Sequence, residues 1–249
     1  MTIFTTDLDN TLIYSYKHDI GKYKLCAEIY QGREVSFITT DTYRMLNQVR
    51  QKIAVVPVTT RTIEQYERID LGMGKLPYAL VCNGGILLKD GKEDAEWYRD
   101  TLEMISESSG EIQKAVHALE NDENVCFEVR YIRDLFVFTK SSEPEKTAEL
   151  LRKTVDPDKA DVFTNGVKVY AVPKGLDKGT AVQRLKKYIG ADTVIAAGDS
   201  EFDIPMLEVA DYAICPAELS VGRKNRTVFC KELLSECMLK TLLEIISVQ

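Results

Sequence analysis

The stretch TTDLDNTLIYS, residues 5–15, sets Asp7 and Asp9 one residue apart behind a run of apolar residues and threonines. Side chains two apart on a strand share a face, so the two carboxyls converge if the strand reaches them. Such crowding raises pKa values and resists ionisation unless a cation is bound. A second acidic pair stands in AAGDSEFDIPML, where Asp199 follows a strand-like run and Asp203 comes four residues later. If the two strands are neighbours, their carboxyl groups meet in one crevice. Oxygen donors with no His or Cys among them suit magnesium, whose octahedral coordination leaves room for waters and a substrate phosphate. Taken singly, each Asp is better read as a helix N-cap or loop residue; as a set they point to a metal centre.

A carboxylate is also a nucleophile toward phosphorus, forming an aspartyl-phosphate. Attacker and phosphate are both anionic, so magnesium and a lysine are needed to neutralise charge and align the phosphoryl group. Lys178, in VPKGLDKGTAV, sits at a loop-to-helix junction and meets that need, although a lysine there also reads as an exposed helix N-terminal residue. Thr59 and Thr60, ending a strand in PVTTRT, offer a hydroxyl and backbone N–H groups to phosphate oxygens. The same threonines also suit turn or cap chemistry before the next helix.

These residues require elements that deliver them to one place. TIFTTDL, IAVVPVTT, YALVCNG, TVIAAGDS and DYAICP read as buried strands followed by polar or glycine-bearing loops. DTYRMLNQVRQK, IEQYERIDL, KGTAVQRLKKYI and FDIPMLEVA, lying between them, read as helices. Strand and helix in alternation predict parallel βαβ units and a doubly wound α/β sheet. Ligands bind such sheets beyond the carboxyl ends of the strands, where Asp7, Thr59, Asn83 and Asp199 fall.

The alternation breaks over residues 87–172. A helix is expected in TLEMISESSGEIQKAVHALE, two strands turning near Arg133 and Asp134, a helix opening at Pro144, and a hairpin centred on Asn165-Gly166. This antiparallel α+β block is expected to be a second domain inserted into the first, which then comprises residues 1–86 and 173–249. Residues 23–38 read as a hairpin turning at Gln31-Gly32; it either flanks the entrance, forms a contact surface or is simply solvated. Phe127, Tyr131, Phe136 and Phe138 fit alternating strand burial, and ELLSECMLKTLLEIISV an amphipathic packing helix.

A net charge of -7 and 29% charged residues describe an acidic globular chain and disfavour nucleic-acid or anionic-membrane binding. The six cysteines form no CxxC pair, and Cys82, Cys126 and Cys215 lie in apolar runs, so reduced core thiols in a cytoplasmic protein are expected. No signal peptide or membrane span is read. GMGKLP, residues 72–77, is read as a helix stop and connection, not a dinucleotide loop.

Taken together, DLDNT, the strand-end threonine of TTR, the lysine of LDKGTAV and GDSEFD resemble, in order, the motifs of the haloacid dehalogenase superfamily. The sequence is most similar to the branch of Cof-like and sucrose-phosphate phosphatases, whose α/β cap follows the third core strand, and Asn83-Gly84 matches that family's NG. The resemblance implies a Rossmann-like core with an inserted cap, and a magnesium-dependent phosphomonoesterase acting on a small phosphorylated metabolite. It implies Asp7 as nucleophile and metal ligand, and Asp9 as general acid and base with its backbone carbonyl on the metal. Thr59 would bind phosphoryl oxygens, Lys178 would steady nucleophile and phosphate, Asp199 would hold magnesium, and Asp203 would orient Lys178 or metal-bound water. Asn10, Thr60 and Asn83 are expected at the substrate. Asn10 and Phe202 depart from the commonest residues of this branch, a glycine and an asparagine. A phosphomutase of the same chemistry and a non-catalytic phosphate-ligand-binding protein are the alternatives; a monomer or homodimer is expected.

Overall fold

The computed structural model describes residues 1–222 and 226–247. It resolves into two compact units: Met1–Asp94 with the described part of Asp177–Gln249, and Ala95–Leu176. The first unit opens with β1 (Thr2–Thr6), β2 (Tyr14–Ser15), β3 (Lys24–Tyr30) and β4 (Arg33–Thr39). Then come α1 (Thr40–Arg50), β5 (Ala54–Pro57), α2 (Ile63–Glu67), β6 (Tyr78–Val81), β7 (Ile86–Lys89) and β8 (Lys92–Glu93). The second unit holds α3 (Ala95–Met104), α4 (Ser109–Glu120), β9 (Arg130–Ile132), β10 (Phe136–Lys140), α5 (Pro144–Thr154), β11 (Ala160–Asn165) and β12 (Lys168–Pro173). The chain returns to the first unit as α6 (Lys178–Ile189), β13 (Thr193–Ala197), α7 (Ile204–Val209), β14 (Tyr212–Pro216), β15 (Arg226–Cys230) and α8 (Leu234–Ser247).

The core is a parallel five-stranded sheet of order β15-β14-β13-β1-β5. From β1 the chain moves to β5 on one side, and later to β13, β14 and β15 on the other. Such a reversal of strand order opens a crevice between its two central strands, here β1 and β13. Phe4, Ile195, Ala197 and Ile214 of this sheet pack with Met45, Leu46 and Val49 of α1 and Leu234, Met238, Leu239 and Leu242 of α8. Both helices show the apolar stripe expected of a helix laid on a sheet. Of the predicted terminal helix, Val248 lies outside the described residues.

β6 joins the parallel sheet only through a bridge between Val58 and Leu80; its other edge pairs antiparallel with β7. That hairpin holds residues 86–93 in the first unit. Residues 82–84 turn between β6 and β7 with positive φ at Cys82 (53°), Asn83 (58°) and Gly84 (87°). A Cβ on Gly84 would stand 2.2 Å from the Ala181 Cβ, so the turn presses directly on the first turns of α6. Gly84→Ala is therefore expected to destabilise the fold by about 3 kcal/mol, through left-handed strain and overpacking together. Denaturant unfolding measures it; a loss near zero would mean that this contact is loose.

The hairpin of β3 and β4 turns at Gln31 and Gly32, both left-handed (φ 51° and 74°), and forms a small sheet with β2. In the second unit an antiparallel sheet of order β11-β12-β10-β9 carries α4 and α5 against Val137, Val169 and Ala171. Arg133 and Asp134 form its left-handed turn. The later hairpin turns one residue further along than the Asn-Gly signal predicts: Asn165 pairs with Lys168, leaving Gly166 and Val167 as the loop. Phe136 and Phe138 are buried, with Tyr170 stacked on Phe138, while Phe127 and Tyr131 are half-buried.

The cysteines differ from expectation. Cys230 and Cys237 form a disulfide across seven residues, because β15 ends at Cys230 and the first turn of α8 brings Cys237 back to it. Cys126 is exposed and outside any strand; Cys82 and Cys215 are buried thiols. Among the described residues no helix is long and apolar enough to cross a membrane.

Candidate active site

Asp7 is the first residue beyond β1, and Asp199 follows β13. The register sets Thr6 opposite Ala197, and the Asp7 N–H donates to the Ala197 carbonyl at 2.9 Å. Both aspartates thus stand at the crevice where strand order reverses. Carboxylate oxygens of Asp7, Asp199 and Asp203 lie within 4.8 Å of one another.

Lys178 opens α6, where Asp177 caps the helix by accepting from the Thr180 N–H (2.9 Å) and hydroxyl (2.7 Å). It is not an exposed helix-terminal lysine: it is 1% exposed, and its Nζ donates to Oδ1 of Asp7 and Oδ1 of Asp203, each at 2.5 Å. The other oxygen of Asp203 accepts from the Ser200 hydroxyl (2.9 Å), the Ser200 N–H (3.0 Å) and the Asp199 N–H (3.1 Å). With both oxygens engaged, Asp203 is an anchor for Lys178 and for the turn that presents Asp199. Residue 198 must be glycine for this, since a Cβ there would stand 2.3 Å from the Asp203 Cβ. Phe202 is buried, and the bonds to Asp203 come from Ser200 and Asp199, so no polar group at 202 is needed for them. The Thr11 hydroxyl donates to Asp199 Oδ1 at 2.8 Å.

Asp9 has a different environment. Its half-exposed carboxylate is held by Arg61, with Nε on Oδ2 and Nη2 on Oδ1, both at 2.7 Å. Its side chain is outside the cluster of Asp7, Asp199 and Asp203. Thr59 is buried, and its Oγ1 accepts the Arg61 N–H at 3.1 Å, which leaves its own hydrogen to donate. Asn83 is buried beside it, donating its N–H to the Thr59 carbonyl at 2.9 Å. Thr60 is half-buried; the cap of α2 is Thr62, in a reciprocal capping box with Gln65, so neither Thr59 nor Thr60 serves that purpose. Asn10 is left-handed (φ 63°) and exposed, and its N–H is bonded to the Ile13 carbonyl at 2.8 Å.

The electrostatics follow from this packing. Burial works against a charge on Lys178, but Asp203 and Asp7 outweigh it and hold the ammonium above the ordinary lysine range. Burial pushes the Asp7 carboxyl well above the usual range; Lys178 opposes this, while Asp203, Asp9 and Asp199 reinforce it. Asp199 is pushed up to about 6, first by burial and then by Asp203. With Asp9 neutralised by Arg61, three carboxylates face one ammonium. The remaining charge is that of one divalent cation, and the donors are hard oxygens, so the residues present fit magnesium.

Sequence reasoning assigned no role to Arg61, Thr11 or Ser200, although each lies inside a quoted motif. It also missed Glu28, which is 4% exposed on β3 and bonded to Arg61. No local pattern marks an acid between Ala27 and Ile29 as paired, because its partners lie on a different element.

A family model described as haloacid dehalogenase-like hydrolase matches residues 93–226. A phosphoglycolate phosphatase of Methanothrix thermoacetophila is 24% identical over 199 residues, which are 76% of this chain and 84% of that protein. The sucrose-phosphatase of Synechocystis sp. PCC6803, solved with sucrose and phosphate, superposes with a TM-score of 0.63 at 15% identity, covering 98% of this chain and 97% of that one. A sugar phosphatase of subclass IIB gives a TM-score of 0.63 at 12% identity, over 98% and 99% of the two chains. At these identities the structural likenesses speak for the fold.

Proposed function

The chain belongs to the haloacid dehalogenase-like hydrolases, and from that premise we propose that it is a magnesium-dependent phosphomonoesterase for a small phosphorylated metabolite, working through an aspartyl-phosphate. The observation that carries this reading is Lys178 Nζ bridging Asp7 and Asp203 beside Asp199, at the ends of two adjacent parallel strands. Sugar phosphates are the first substrates to try, since sugar phosphatases share the fold.

Asp7 attacks phosphorus; as the bond to the leaving oxygen breaks, Asp9 gives that oxygen a proton. Asp9 then takes a proton from the water that attacks the aspartyl-phosphate, releasing phosphate and restoring Asp7. Lys178 keeps Asp7 in place and lowers the repulsion between two anions. Thr59 donates its hydroxyl to a phosphoryl oxygen. Asp7 and Asp199 would hold magnesium, with the Asp9 carbonyl, and the ion would supply neutralising charge to the phosphoryl group. The inserted α+β unit is assigned the role of cap, selecting the leaving group.

The test is phosphate release from a panel of sugar phosphates, phosphoglycolate and nucleotides, abolished by a chelator and restored by magnesium. No release from any of them would end this reading.

Magnesium should also register in stability. A carboxyl raised to about 6 favours the folded state only while protonated; that contribution is complete below its unfolded value and lost as pH rises through about 6. Above that pH a cation relieves the site. Magnesium is expected to raise the melting temperature more at pH 7.5 than at pH 5, with affinity about tenfold weaker at pH 5 because a proton must leave first. A shift independent of pH would remove Asp199 from the ligand set.

A further inference from the structure

The β3–β4 hairpin reads from sequence as flanking the entrance, as a contact surface or as simply solvated; in the structure it buries a carboxylate. Glu28 Oε2 accepts from Arg61 Nη2 at 3.0 Å and from the Ser36 hydroxyl at 2.8 Å, and Oε1 accepts from Arg68 Nε at 3.0 Å. Burial works to raise its pKa, but the bonds from Arg61, Ser36 and Arg68 outweigh it and hold it below the usual carboxylate range. Nη2 of Arg61 is shared between Glu28 and Asp9, while Nη1 donates to the Gln65 carbonyl at 3.2 Å. The guanidinium is planar and rigid, so fixing its far edge fixes the edge that grips Asp9.

We propose that Glu28 is a positioning residue for Asp9, acting through Arg61, so that the hairpin belongs to the catalytic apparatus. This role rests on the phosphatase reading. Asp9 delivers its proton to the leaving oxygen while the bond from that oxygen to phosphorus breaks and the bond from Asp7 forms. Delivery depends on where the carboxyl stands, and displacements of an ångström cost large factors in rate. Glu28 therefore matters most for leaving groups that need a proton.

The experiment compares kcat/KM for β-glycerol phosphate, whose alkoxide needs protonation, with that for p-nitrophenyl phosphate, whose phenolate does not. In Glu28→Gln the ratio of the two is expected to fall about tenfold, with the aryl substrate within about twofold of wild type. Arg68→Met, which removes the bond to Oε1 and the contact of the guanidinium with the Tyr30 ring but leaves the bond from Arg61 to Oε2, is expected to leave the ratio in place. Glu28→Gln added to Arg61→Met is expected to change nothing further. An unmoved ratio in folded Glu28→Gln, or an equal fall in Arg68→Met, overturns the proposal and makes Glu28 a structural tie.

Should Glu28→Gln fail to fold, Ser36→Ala removes the hydroxyl bonded to Oε2, the oxygen that also accepts from Arg61, and is expected to move the ratio in the same direction, about threefold. An unmoved ratio there also overturns the proposal. A wild type inactive on both substrates, or an active Asp7→Asn, defeats the phosphatase reading and this role with it. An active wild type with an insensitive ratio defeats the role of Glu28 alone.

Discussion

Asp7→Asn is expected to lower phosphate release by at least about a thousandfold while leaving the protein folded. The amide has the shape of the carboxylate but cannot act as an anionic nucleophile toward phosphorus, so covalent transfer to residue 7 stops. Stability should not follow activity down. Burial raises the Asp7 carboxyl well above the usual range, with Asp203, Asp9 and Asp199 adding to the effect, so its charge is a burden on the folded state at neutral pH. Lys178 keeps Asp203 as a partner at 2.5 Å when Asp7 is neutralised. The melting temperature is expected to stay level or rise. Phosphate release and thermal unfolding measured on one preparation separate the two effects. Retention of more than about a hundredth of wild-type activity would show that residue 7 is not the nucleophile.

The legible and illegible parts of this protein divide by range. Parallel strands announce themselves by continuous apolar runs, which is why TIFTT and TVIAA were readable and why Asp7 and Asp199 could be set at strand ends. That β1 and β13 are neighbours is a property of topology, and it turns two separate acidic motifs into one cluster. Lys178 is a candidate from its place at a loop-to-helix junction and its role is implied by resemblance; alone, that position reads more readily as a solvated helix terminus. Its burial is explained by the approach of two carboxylates from other elements, Asp203 at a separation of 25 residues and Asp7 at 171. Glu28 shows the opposite failure. Local sequence makes it a charge on a hairpin, and its partners Arg61 and Arg68 belong to the α2 region. The disulfide was missed because a spacing of seven residues has meaning only once a strand end and a helix start are folded together. Small register choices, such as Asn165 pairing where a turn was expected, are decided by the partner strand.

Removing Lys178 makes the sharpest demand on the electrostatic account. Methionine fills much of the same volume without charge, so Lys178→Met leaves Asp7 and Asp203 buried with no cation between them. Breaking a buried ion pair on one side costs about 3–5 kcal/mol, chiefly from the charge left behind. The loss is expected to be largest at pH 7.5 and to shrink by pH 5. Without the ammonium the Asp7 carboxyl loses the one charge that opposes its rise, and a proton taken up as pH falls supplies part of the missing positive charge. Magnesium should recover part of the loss at pH 7.5 for the same reason. Asp203→Asn combined with Lys178→Met is expected to cost less than the single lysine change, because the two residues act as a unit. Activity should fall by about a hundredfold or more even in the folded fraction, since the nucleophile and the phosphoryl group then repel with less charge to offset them. Denaturant unfolding at the two pH values, with and without magnesium, reads each part. A Lys178→Met protein as stable as wild type at pH 7.5 would mean that Asp7 and Asp203 are not charged together in the folded state, and the case for a divalent ion in this crevice would lose its electrostatic basis.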